Sequence, residues 1–512
     1  MLMKKYSFFS AIASVFLLFA ALQSCFFVSS QDSTLSLHPF DCTSVMNKTN
    51  EWTDGYFTAN WSLSLEDKKG TITGSIFLGR TDKQGSFHGI LRSEKEKTLG
   101  MVTGVIYQQL ILARLHLYNE KNFALLFGTI ALDDSSFSAQ FQSMDYGIIQ
   151  ICGSYTASFL PPLTGDFDIG IQSYHLVDSS REEYFTSEPE DNREMMIQIW
   201  YPTEKSTPGD IYEYMDPITF QWLKTQSPIP LFTIPSHAYQ FINPHAKLNA
   251  SIACTIDCYP VIIFSHGYDG VYQIYTSFIE DLVSNGFVVV SINHPYVAGI
   301  TVFPDGETIE IAEVPDENTT NFFDMSLRSV IEDAQFVLDY ITLLNQSEGQ
   351  WKGRLNLNAV GMFGHSFGGA ATSVCCVEDD RFKAGLTLDG VFYEDFITEP
   401  ISDPFLMMFT RSRYFSDEGG DLMWNQLENE AYKIGINGSS HYSYTDVGLL
   451  LQHLTPLLPP HLLGFGSIHP KRMINISRNI ELAFFDVYLR NAEEKNLENI
   501  FDMYNELLIT KK

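Results

Sequence analysis

The sequence predicts an α/β protein with a mostly parallel sheet, preceded by a smaller antiparallel β-domain. Two patterns lead to this prediction. From about residue 165 onward, strand-length apolar runs alternate with longer helix-like runs, which is typical of a parallel sheet covered by helices. Between about residues 50 and 155, short alternating segments are separated by Asp, Gly, Lys and Asn turns, as in antiparallel sheets.

The N-terminus has the features of an export signal. A basic start is followed by an apolar stretch from Phe8 to Leu22 and by small residues up to Ser30. The Leu-Gln-Ser-Cys sequence ending at Cys25 also resembles a bacterial lipoprotein box, and an uncleaved membrane anchor is a third possibility. We therefore predict a signal peptide over residues 1–30 and a secreted, periplasmic or cell-surface protein.

Residues 31–160 are predicted to form the antiparallel β-domain, as a barrel or a meander. Tyr56 to Leu65 and Phe123 to Leu132 are examples of its strand-like segments. No catalytic constellation falls in this region, so a spacer, an oligomerisation surface or a binding module are the available roles. The stiff run from Pro161 to Gly165 marks the boundary with a second domain at residues 161–512.

The most informative motif of the second domain is the G-x-S-x-G pentapeptide from Gly364 to Gly368. It follows the apolar run Val360 to Phe363 and precedes a small-residue, helix-compatible run, Gly369 to Val377. This layout is typical of the nucleophile elbow of an α/β-hydrolase fold, in which a sharp turn exposes a serine. We predict Ser366 as the nucleophile, and a serine needs a base, an acid and oxyanion donors.

In this fold the acid and then the histidine follow the serine along the chain. Asp389, at the end of the strand-like run Ala384 to Leu388, is the preferred acid because it would share the carboxyl edge of the sheet with the serine. Asp417 and Asp421 follow the next apolar strand and remain rivals on spacing alone.

His441 is the preferred base. It follows Gly-Ser-Ser after the apolar run Ala431 to Ile436, so it lies on a loop just past a late strand. His453, His461 and His469 belong to the Leu/Pro-rich stretch that comes next, where packing or surface roles are favoured.

Two backbone amides are predicted to bind the oxyanion. Phe367 follows the nucleophile and supplies the first. The second is the amide of Tyr268, in the turn after the dense apolar strand Tyr259 to Phe264, where Gly267 allows the chain to turn. An ordinary strand-to-helix turn is the alternative interpretation.

Five short motifs stand in this chain in order: Phe264-Ser265-His266-Gly267, Asn285-Gly286-Phe287, Gly364 to Ala370, Asp380-Arg381-Phe382 with Gly385 to Asp389, and Gly438-Ser439-Ser440-His441. Together they resemble the plasma-type platelet-activating factor acetylhydrolase family, with dienelactone-hydrolase-like relatives, over roughly residues 165 to 490. The resemblance implies an α/β-hydrolase that cleaves short or oxidised acyl chains from phospholipids without calcium, of the 1-alkyl-2-acetylglycerophosphocholine esterase type. It also implies Ser366, Asp389 and His441 as the triad, with oxyanion amides at Phe367 and Tyr268.

Two features depart from the family pattern. Tyr268 stands where an aliphatic residue is expected. The insertion at residues 210–258 is longer than the family core needs and is rich in Pro and aromatic residues, including Trp222, Phe232 and Tyr239. It is either a packed loop or a cap that shapes an apolar acyl pocket.

The formal net charge of −30 restricts the partners. Such a surface repels phosphate backbones and anionic bilayers, which excludes nucleic acid and leaves only apolar or zwitterionic contact with lipid surfaces. No second Cys pair or His pair stands at zinc-ligand distance, so we expect no metal and no organic cofactor.

Export would permit disulfides among the cysteines after Cys25. Cys254 and Cys258 are close enough to bridge a short loop, and Cys42 and Cys152 could join the ends of the β-domain. Cys375 and Cys376 follow the elbow, where buried packing is favoured.

The leading hypothesis is an exported serine esterase or lipase that acts on a lipid or small ester through an acyl-enzyme. The alternative is a surface binding or adhesion protein in which the β-domain binds a ligand and the hydrolase domain is a scaffold. The complete set of serine, acid, histidine and elbow glycines counts against a scaffold, which has no need of it.

Overall fold

The computed structural model describes residues 160–512 apart from residues 189, 227–238, 240–241, 243 and 455–463. It also describes the backbone of eight strands between residues 60 and 154. The predicted signal peptide over residues 1–30, with Cys25 and the three possible fates of the N-terminus, lies outside the described residues.

The eight N-terminal strands form one antiparallel sheet in the order β6-β5-β4-β3-β2-β1-β8-β7. Strands β1 to β6 pair in succession. The hairpin of β7 and β8 returns to β1, where Asn60 lies opposite Phe77 of β2 and Ser154 of β8. The predicted antiparallel β-domain is confirmed as part of the fold class, while its boundaries at residues 31 and 160 remain predictions. The strands are β1 Asn60–Asp67, β2 Gly70–Arg80, β3 Ser86–Ser93, β4 Thr98–Tyr107, β5 Leu110–Leu117, β6 Phe123–Thr129, β7 Ser136–Ser143 and β8 Gly147–Ser154.

The second part of the chain is built on a ten-stranded sheet in the order β11-β9-β10-β13-β12-β16-β17-β18-β19-β20. The six strands from β13 to β19 in this order pair in parallel, and β10 and β20 add antiparallel neighbours. The predicted mostly parallel sheet is therefore confirmed. The strands are β9 Asp168–Glu182, β10 Asn192–Thr203, β11 Ala246–Leu248, β12 Tyr259–Ser265, β13 Val288–Asn293, β16 Leu355–His365, β17 Phe382–Leu388, β18 Phe405–Thr410, β19 Ala431–Ile436 and β20 Leu507–Lys511, with a separate hairpin of β14 Ile300–Val302 and β15 Thr308–Glu310.

Helices cover both faces of this sheet. Strands β12, β13, β18 and β19 are buried at every residue, which explains why they read as continuous apolar runs instead of alternating ones. On one face, α2 and α8 pack over Phe264 and Phe363, and on the other α3 and α4 pack over Ile263 and Met362. The helices are α1 Pro217–Gln226, α2 Thr276–Ser284, α3 Thr319–Gln346, α4 Phe367–Glu378, α5 Arg411–Phe415, α6 Glu418–Gln426, α7 Val447–Leu454, α8 Pro470–Arg490 and α9 Lys495–Asp502.

The described part of the insertion at residues 210–258 packs against the sheet. It contains α1 and the edge strand β11, which pairs in parallel with β9. Trp222 and Tyr239 are buried in the same hydrophobic cluster as α2 and α8, whereas Phe232 lies outside the described residues. These contacts favour the packed interpretation over the cap.

The prediction of a disulfide between Cys254 and Cys258 is wrong, because both residues are free thiols. The Cys254 thiol instead contacts the carbonyl oxygen of Ile252 at 3.8 Å, within its own loop. Cys375 and Cys376 are buried free thiols. Cys42 lies outside the described residues, and only the backbone of Cys152 is described. Across the part of the chain with assigned positions, no helix combines the length and apolar character needed to cross a membrane.

Candidate active site

Ser366 lies at the sharp turn between β16 and α4. Its backbone has φ 53° and ψ −111°, a conformation that costs free energy for a residue with a side chain. The turn can be this tight because the residues two positions before and two positions after Ser366 are glycines. A Cβ on Gly364 would come 2.2 Å from the carbonyl oxygen of Gly368, and one on Gly368 would come 2.1 Å from the carbonyl oxygen of Ser265. The sequence therefore forms the strained elbow that its motif predicts.

The structure brings the three predicted triad residues together. The Ser366 hydroxyl lies 2.9 Å from His441 Nε2, and His441 Nδ1 lies 2.6 Å from Asp389 Oδ2. Because the carboxylate can only accept, Nδ1–H is the donor and Nε2 is left to accept the serine proton. The His441 side chain is 37% exposed and that of Asp389 is 0% exposed, so the series runs from the surface into the interior.

Several groups hold Asp389 in place. Its backbone has φ 47°, and its Oδ1 accepts the Thr410 N–H at 2.9 Å. Burial raises the pKa of the Asp389 carboxyl, but the hydrogen bonds from His441 and Thr410 and the charge of Arg413 outweigh this and hold the pKa below its usual value. Asp389 is therefore ionised at neutral pH and can stabilise a positive charge on His441.

The rival carboxylates make other contacts. Asp417 caps α6 by accepting the Gly420 N–H at 2.6 Å and pairs with Arg413. Asp421 Oδ1 pairs with Lys433 Nζ at 2.6 Å. The alternative bases are also placed elsewhere or not described: His469 precedes α8, while the side chain of His453 and all of His461 lie outside the described residues.

The two predicted oxyanion residues flank the serine. A Cβ on Gly267 would lie 3.1 Å from the Ser366 Cβ, so the turn that carries Tyr268 runs directly beside the nucleophile. The rings of Tyr268 and Phe367 pack edge to face with centroids 5.7 Å apart. Phe367 is the first residue of α4, where an N–H has no helical carbonyl to bind.

Arg413 was not found from the sequence. Its Nη1 donates to the carbonyl oxygen of Asp389 at 2.6 Å and its Nη2 to that of Gly390 at 2.8 Å. It thereby fixes the backbone that presents the acid. No local pattern identifies an arginine that lies beyond the next strand, so only the fold could show this contact.

His365, the residue before the nucleophile, was also missed. Its Nε2–H donates to the carbonyl oxygen of His441 at 3.0 Å, and its Nδ1 accepts the Tyr275 hydroxyl at 2.9 Å. Burial, and next the proximity of His441, lower the pKa of His365 to about 3, so its ring stays neutral. The variable position of the G-x-S-x-G motif thus anchors the loop that carries His441.

Asp446 follows the His441 turn and gives this region a pH-dependent stability. Its Oδ2 accepts the Ser277 N–H at 3.1 Å and the Tyr214 hydroxyl at 3.2 Å. Burial and, to a smaller extent, the charge of Glu280 raise the pKa of Asp446 to about 7, despite the hydrogen bonds from Ser277 and Tyr214. The pKa of Asp446 is higher in the folded protein than in the unfolded chain. Its contribution to the free energy of unfolding is therefore fully present below about pH 4 and is lost as the pH rises through about 7.

We therefore expect the melting temperature of the wild type to fall, relative to Asp446→Asn, between about pH 4 and pH 8. The amide is uncharged throughout and its oxygen can accept the same two hydrogen bonds. The difference should correspond to a free energy on the order of a few kcal/mol, measured by calorimetry of both proteins at each pH. A difference in melting temperature that does not change with pH would contradict the assignment.

Within the described ranges, no group of three or more His, Cys, Asp or Glu side chains could hold a metal ion.

Comparison with known proteins gives evidence on the family of this chain that does not depend on the geometry of the site. The family model described as "Platelet-activating factor acetylhydrolase, isoform II" matches residues 152–508. A platelet-activating factor acetylhydrolase from Cavia porcellus is 26% identical over 349 residues, which cover 62% of this chain and 76% of the relative. A probable 1-alkyl-2-acetylglycerophosphocholine esterase from Arthroderma benhamiae is 28% identical over 200 residues, 36% of this chain and 48% of the relative.

Among solved structures, the ferulic acid esterase from Streptomyces cinnamoneus superimposes with a TM-score of 0.58 at 25% sequence identity. The match covers 69% of this chain and 98% of the esterase. This superposition confirms the α/β-hydrolase fold. The matched protein is itself an ester hydrolase.

Proposed function

Because the chain belongs to the platelet-activating factor acetylhydrolase family and is a carboxylic ester hydrolase, we propose that it is an exported serine esterase acting through an acyl-enzyme at Ser366. The proposed substrates carry short or oxidised acyl chains on a phospholipid. The observation that carries the proposal is the hydrogen-bonded series of Ser366, His441 and Asp389 behind a strained elbow.

In acylation, His441 Nε2 takes the proton of Ser366 as the hydroxyl oxygen forms a bond with the ester carbonyl carbon. The negative charge that develops on the carbonyl oxygen is stabilised by the N–H groups of Phe367 and Tyr268. The bond to the leaving alcohol then breaks, and His441 returns the proton to the alcohol oxygen. Asp389 stays ionised throughout and keeps Nδ1–H directed away from the reacting atoms.

In deacylation, water replaces the alcohol. His441 takes a proton from the water as its oxygen attacks the acyl carbon, and the same two amides stabilise the second oxyanion. The bond to the Ser366 oxygen breaks, His441 returns the proton to it, and the carboxylic acid leaves.

The surroundings of the elbow suit an apolar acyl chain. Three partly buried aromatic rings, those of Tyr268, Phe323 and Tyr393, pack around the buried ring of Phe367. Between centroids, Tyr268 lies 5.3 Å from Phe323, Phe323 lies 6.4 Å from Phe367, and Phe367 lies 6.1 Å from Tyr393. The formal charge of −30 favours a zwitterionic headgroup over an anionic one. The names of the relatives point to the same substrate class.

Acyl length is expected to be limited by Tyr268. The kcat/KM of the wild type should fall as the acyl chain lengthens, because a chain that exceeds the pocket loses transition-state binding. Tyr268→Leu should recover activity on longer esters, by about tenfold, while keeping the backbone N–H. The Tyr268 hydroxyl is buried without a hydrogen-bond partner in the described structure, so the substitution removes no such bond.

The measurement is kcat/KM for a series of p-nitrophenyl esters from acetyl to long chains. Tyr340→Leu, on α3, is the matched control because its ring packs on Tyr174 at 5.9 Å and not on the elbow. A wild type that prefers long chains, together with no effect of Tyr268→Leu, would remove both the short-acyl proposal and the role of this side chain.

Reaction with a fluorophosphonate probe tests the enzyme proposal against the scaffold alternative. The folded wild type should be labelled at Ser366, and Ser366→Ala should not be labelled. Ser347→Ala, at the exposed end of α3, should be labelled like the wild type. Folded protein that shows no serine-dependent label would contradict the esterase proposal. It would favour the alternative, in which the β-domain binds a ligand and the hydrolase domain is a scaffold.

Export is the part of the proposal that rests on residues 1–30 alone. The intact mass of the protein isolated from its native source would distinguish a chain cleaved after Ser30 from one that carries lipid on Cys25. A full-length chain retained in the cytoplasm would contradict export.

A further inference from the structure

A second Ser-His-Asp series lies in the interior behind the oxyanion turn. The Ser265 hydroxyl is 3.0 Å from His294 Nε2, and His294 Nδ1 is 2.8 Å from Asp333 Oδ2. These distances resemble those of Ser366, His441 and Asp389, but all three residues are 0% exposed. A substrate cannot reach them, so the series has a role other than nucleophilic catalysis.

Asp333 anchors the series. Arg193 donates to it through both Nε at 3.0 Å and Nη2 at 2.7 Å, and Arg181 Nη2 donates at 2.7 Å. Burial raises the pKa of Asp333, but the charge of Arg193 and the hydrogen bond from His294 hold it well below its usual range. A charge without solvent is stable only when paired and hydrogen-bonded, so this cluster ties β10, α3 and the loop after β13 in one arrangement.

The series connects to the oxyanion turn through His266. The backbone N–H of His294 donates to His266 Nε2 at 3.2 Å, which leaves Nδ1–H as the donor to the carbonyl oxygen of Gly267 at 2.7 Å. Burial, then the neighbouring His294, lowers the pKa of His266 to about 3, so the ring keeps this neutral tautomer. The Gly270 N–H donates to the same Gly267 oxygen at 2.9 Å.

The Gly267 carbonyl and the Tyr268 N–H belong to one peptide unit. In a planar trans peptide the C=O and the N–H point in opposite directions, so fixing the oxygen fixes the direction of the N–H. Gly267 also lies against Ser366, since a Cβ on it would be 3.1 Å from the serine Cβ. The hydrogen bond from His266 therefore controls an amide that stands beside the nucleophile.

We infer that His266, held by the buried cluster of His294, Asp333 and Arg193, is a positioning residue that aims the Tyr268 N–H at the oxyanion. This inference rests on the proposed function, because it assigns the alignment of one donor in that reaction. Loss of an oxyanion donor costs about 100- to 1000-fold in kcat, so misalignment of one should cost about 10- to 100-fold.

A matched pair of variants isolates the hydrogen bond. Asn carries its amide nitrogen on Cγ, as His carries Nδ1, so His266→Asn can still donate to the Gly267 oxygen. His266→Gln carries its amide one carbon farther out, near the Nε2 position, and cannot. We expect His266→Asn to keep most of the wild-type kcat, and His266→Gln to lose about 10- to 100-fold with KM little changed.

Affinity for a trifluoromethyl ketone separates alignment from general damage. This inhibitor forms a tetrahedral adduct with the serine, so its Ki should rise in His266→Gln by the same factor by which kcat/KM falls. His245→Ala is the control for a lost, partly buried histidine contact, because His245 pairs with Glu280 at 2.8 Å. It should leave kcat and Ki unchanged even if the melting temperature falls.

Equal kcat and equal Ki in His266→Asn and His266→Gln would overturn the inference, as would a loss of kcat in His266→Gln without a matching rise in Ki. A wild type without Ser366-dependent hydrolysis would instead contradict the proposed function. If both variants fail to fold, Ser265→Ala replaces them, because it removes only the hydroxyl that contacts His294. We then expect Ki to rise and kcat to fall together, each by less than is expected for His266→Gln. An unchanged Ki in Ser265→Ala would count against the inference.

Discussion

Ser366→Ala and His441→Ala should each lower the hydrolysis of a simple ester by about four to six orders of magnitude, and the double variant should be scarcely slower than either one. The reason is that the serine oxygen and the imidazole share one proton, at an Oγ to Nε2 distance of 2.9 Å. Once Ser366 or His441 has been replaced, replacing the other lowers the remaining rate very little. The measurement is kcat/KM for p-nitrophenyl acetate, with the fold checked by circular dichroism.

The control for these variants is His175→Ala. His175 pairs with Glu194 at 2.6 Å on the surface and should be active. If the double variant lost the product of two large independent factors, Ser366 and His441 would not act as a unit and the proposed proton transfer between them would be wrong.

Asp389→Asn should lower kcat by about three to four orders of magnitude while KM changes little. The present carboxylate accepts Nδ1–H at 2.6 Å, which leaves Nε2 free to accept the serine proton. An amide in the same position would donate to Nδ1 and so favour the tautomer with the proton on Nε2. Steady-state kinetics with active-site titration would separate this loss from a loss of folded enzyme.

The rival carboxylates supply the comparison. Asp421→Asn should be nearly silent, because Asp421 pairs with Lys433. Asp417→Asn should cost at most a few-fold through Arg413, which contacts the Asp389 carbonyl. A loss at Asp417 or Asp421 as large as that at Asp389 would move the acid to the following strand.

The fold class could be predicted because its signals are local. Strands buried on both faces produce continuous apolar runs, and the elbow demands glycines at Gly364 and Gly368 whatever the rest of the chain does. The same glycine requirement identified Ser366 as the candidate nucleophile. Chain order then suggested His441, because a histidine on a late loop can reach the serine only when the strands are in sequence.

Other features depend on contacts that spacing does not encode. Asp389, Asp417 and Asp421 all follow neighbouring strands, and only the fold places the first against His441. The contacts of Arg413 and of Asp333 join elements far apart in the chain, so no motif signals them. The suggested bridge between Cys254 and Cys258 failed for the opposite reason, because a permissive spacing does not make two thiols meet.

The acyl-enzyme itself is the most direct test of the proposed mechanism. Wild-type protein should be quenched in acid during turnover of p-nitrophenyl acetate, digested and examined by mass spectrometry. We expect one acetyl group on the peptide that contains Ser366, with fragment ions that place it on that residue, and no acetyl group on this peptide in Ser366→Ala. Active wild-type enzyme that carries the acetyl group on a different residue, or that turns over at full rate in the Ser366→Ala variant, would contradict the account.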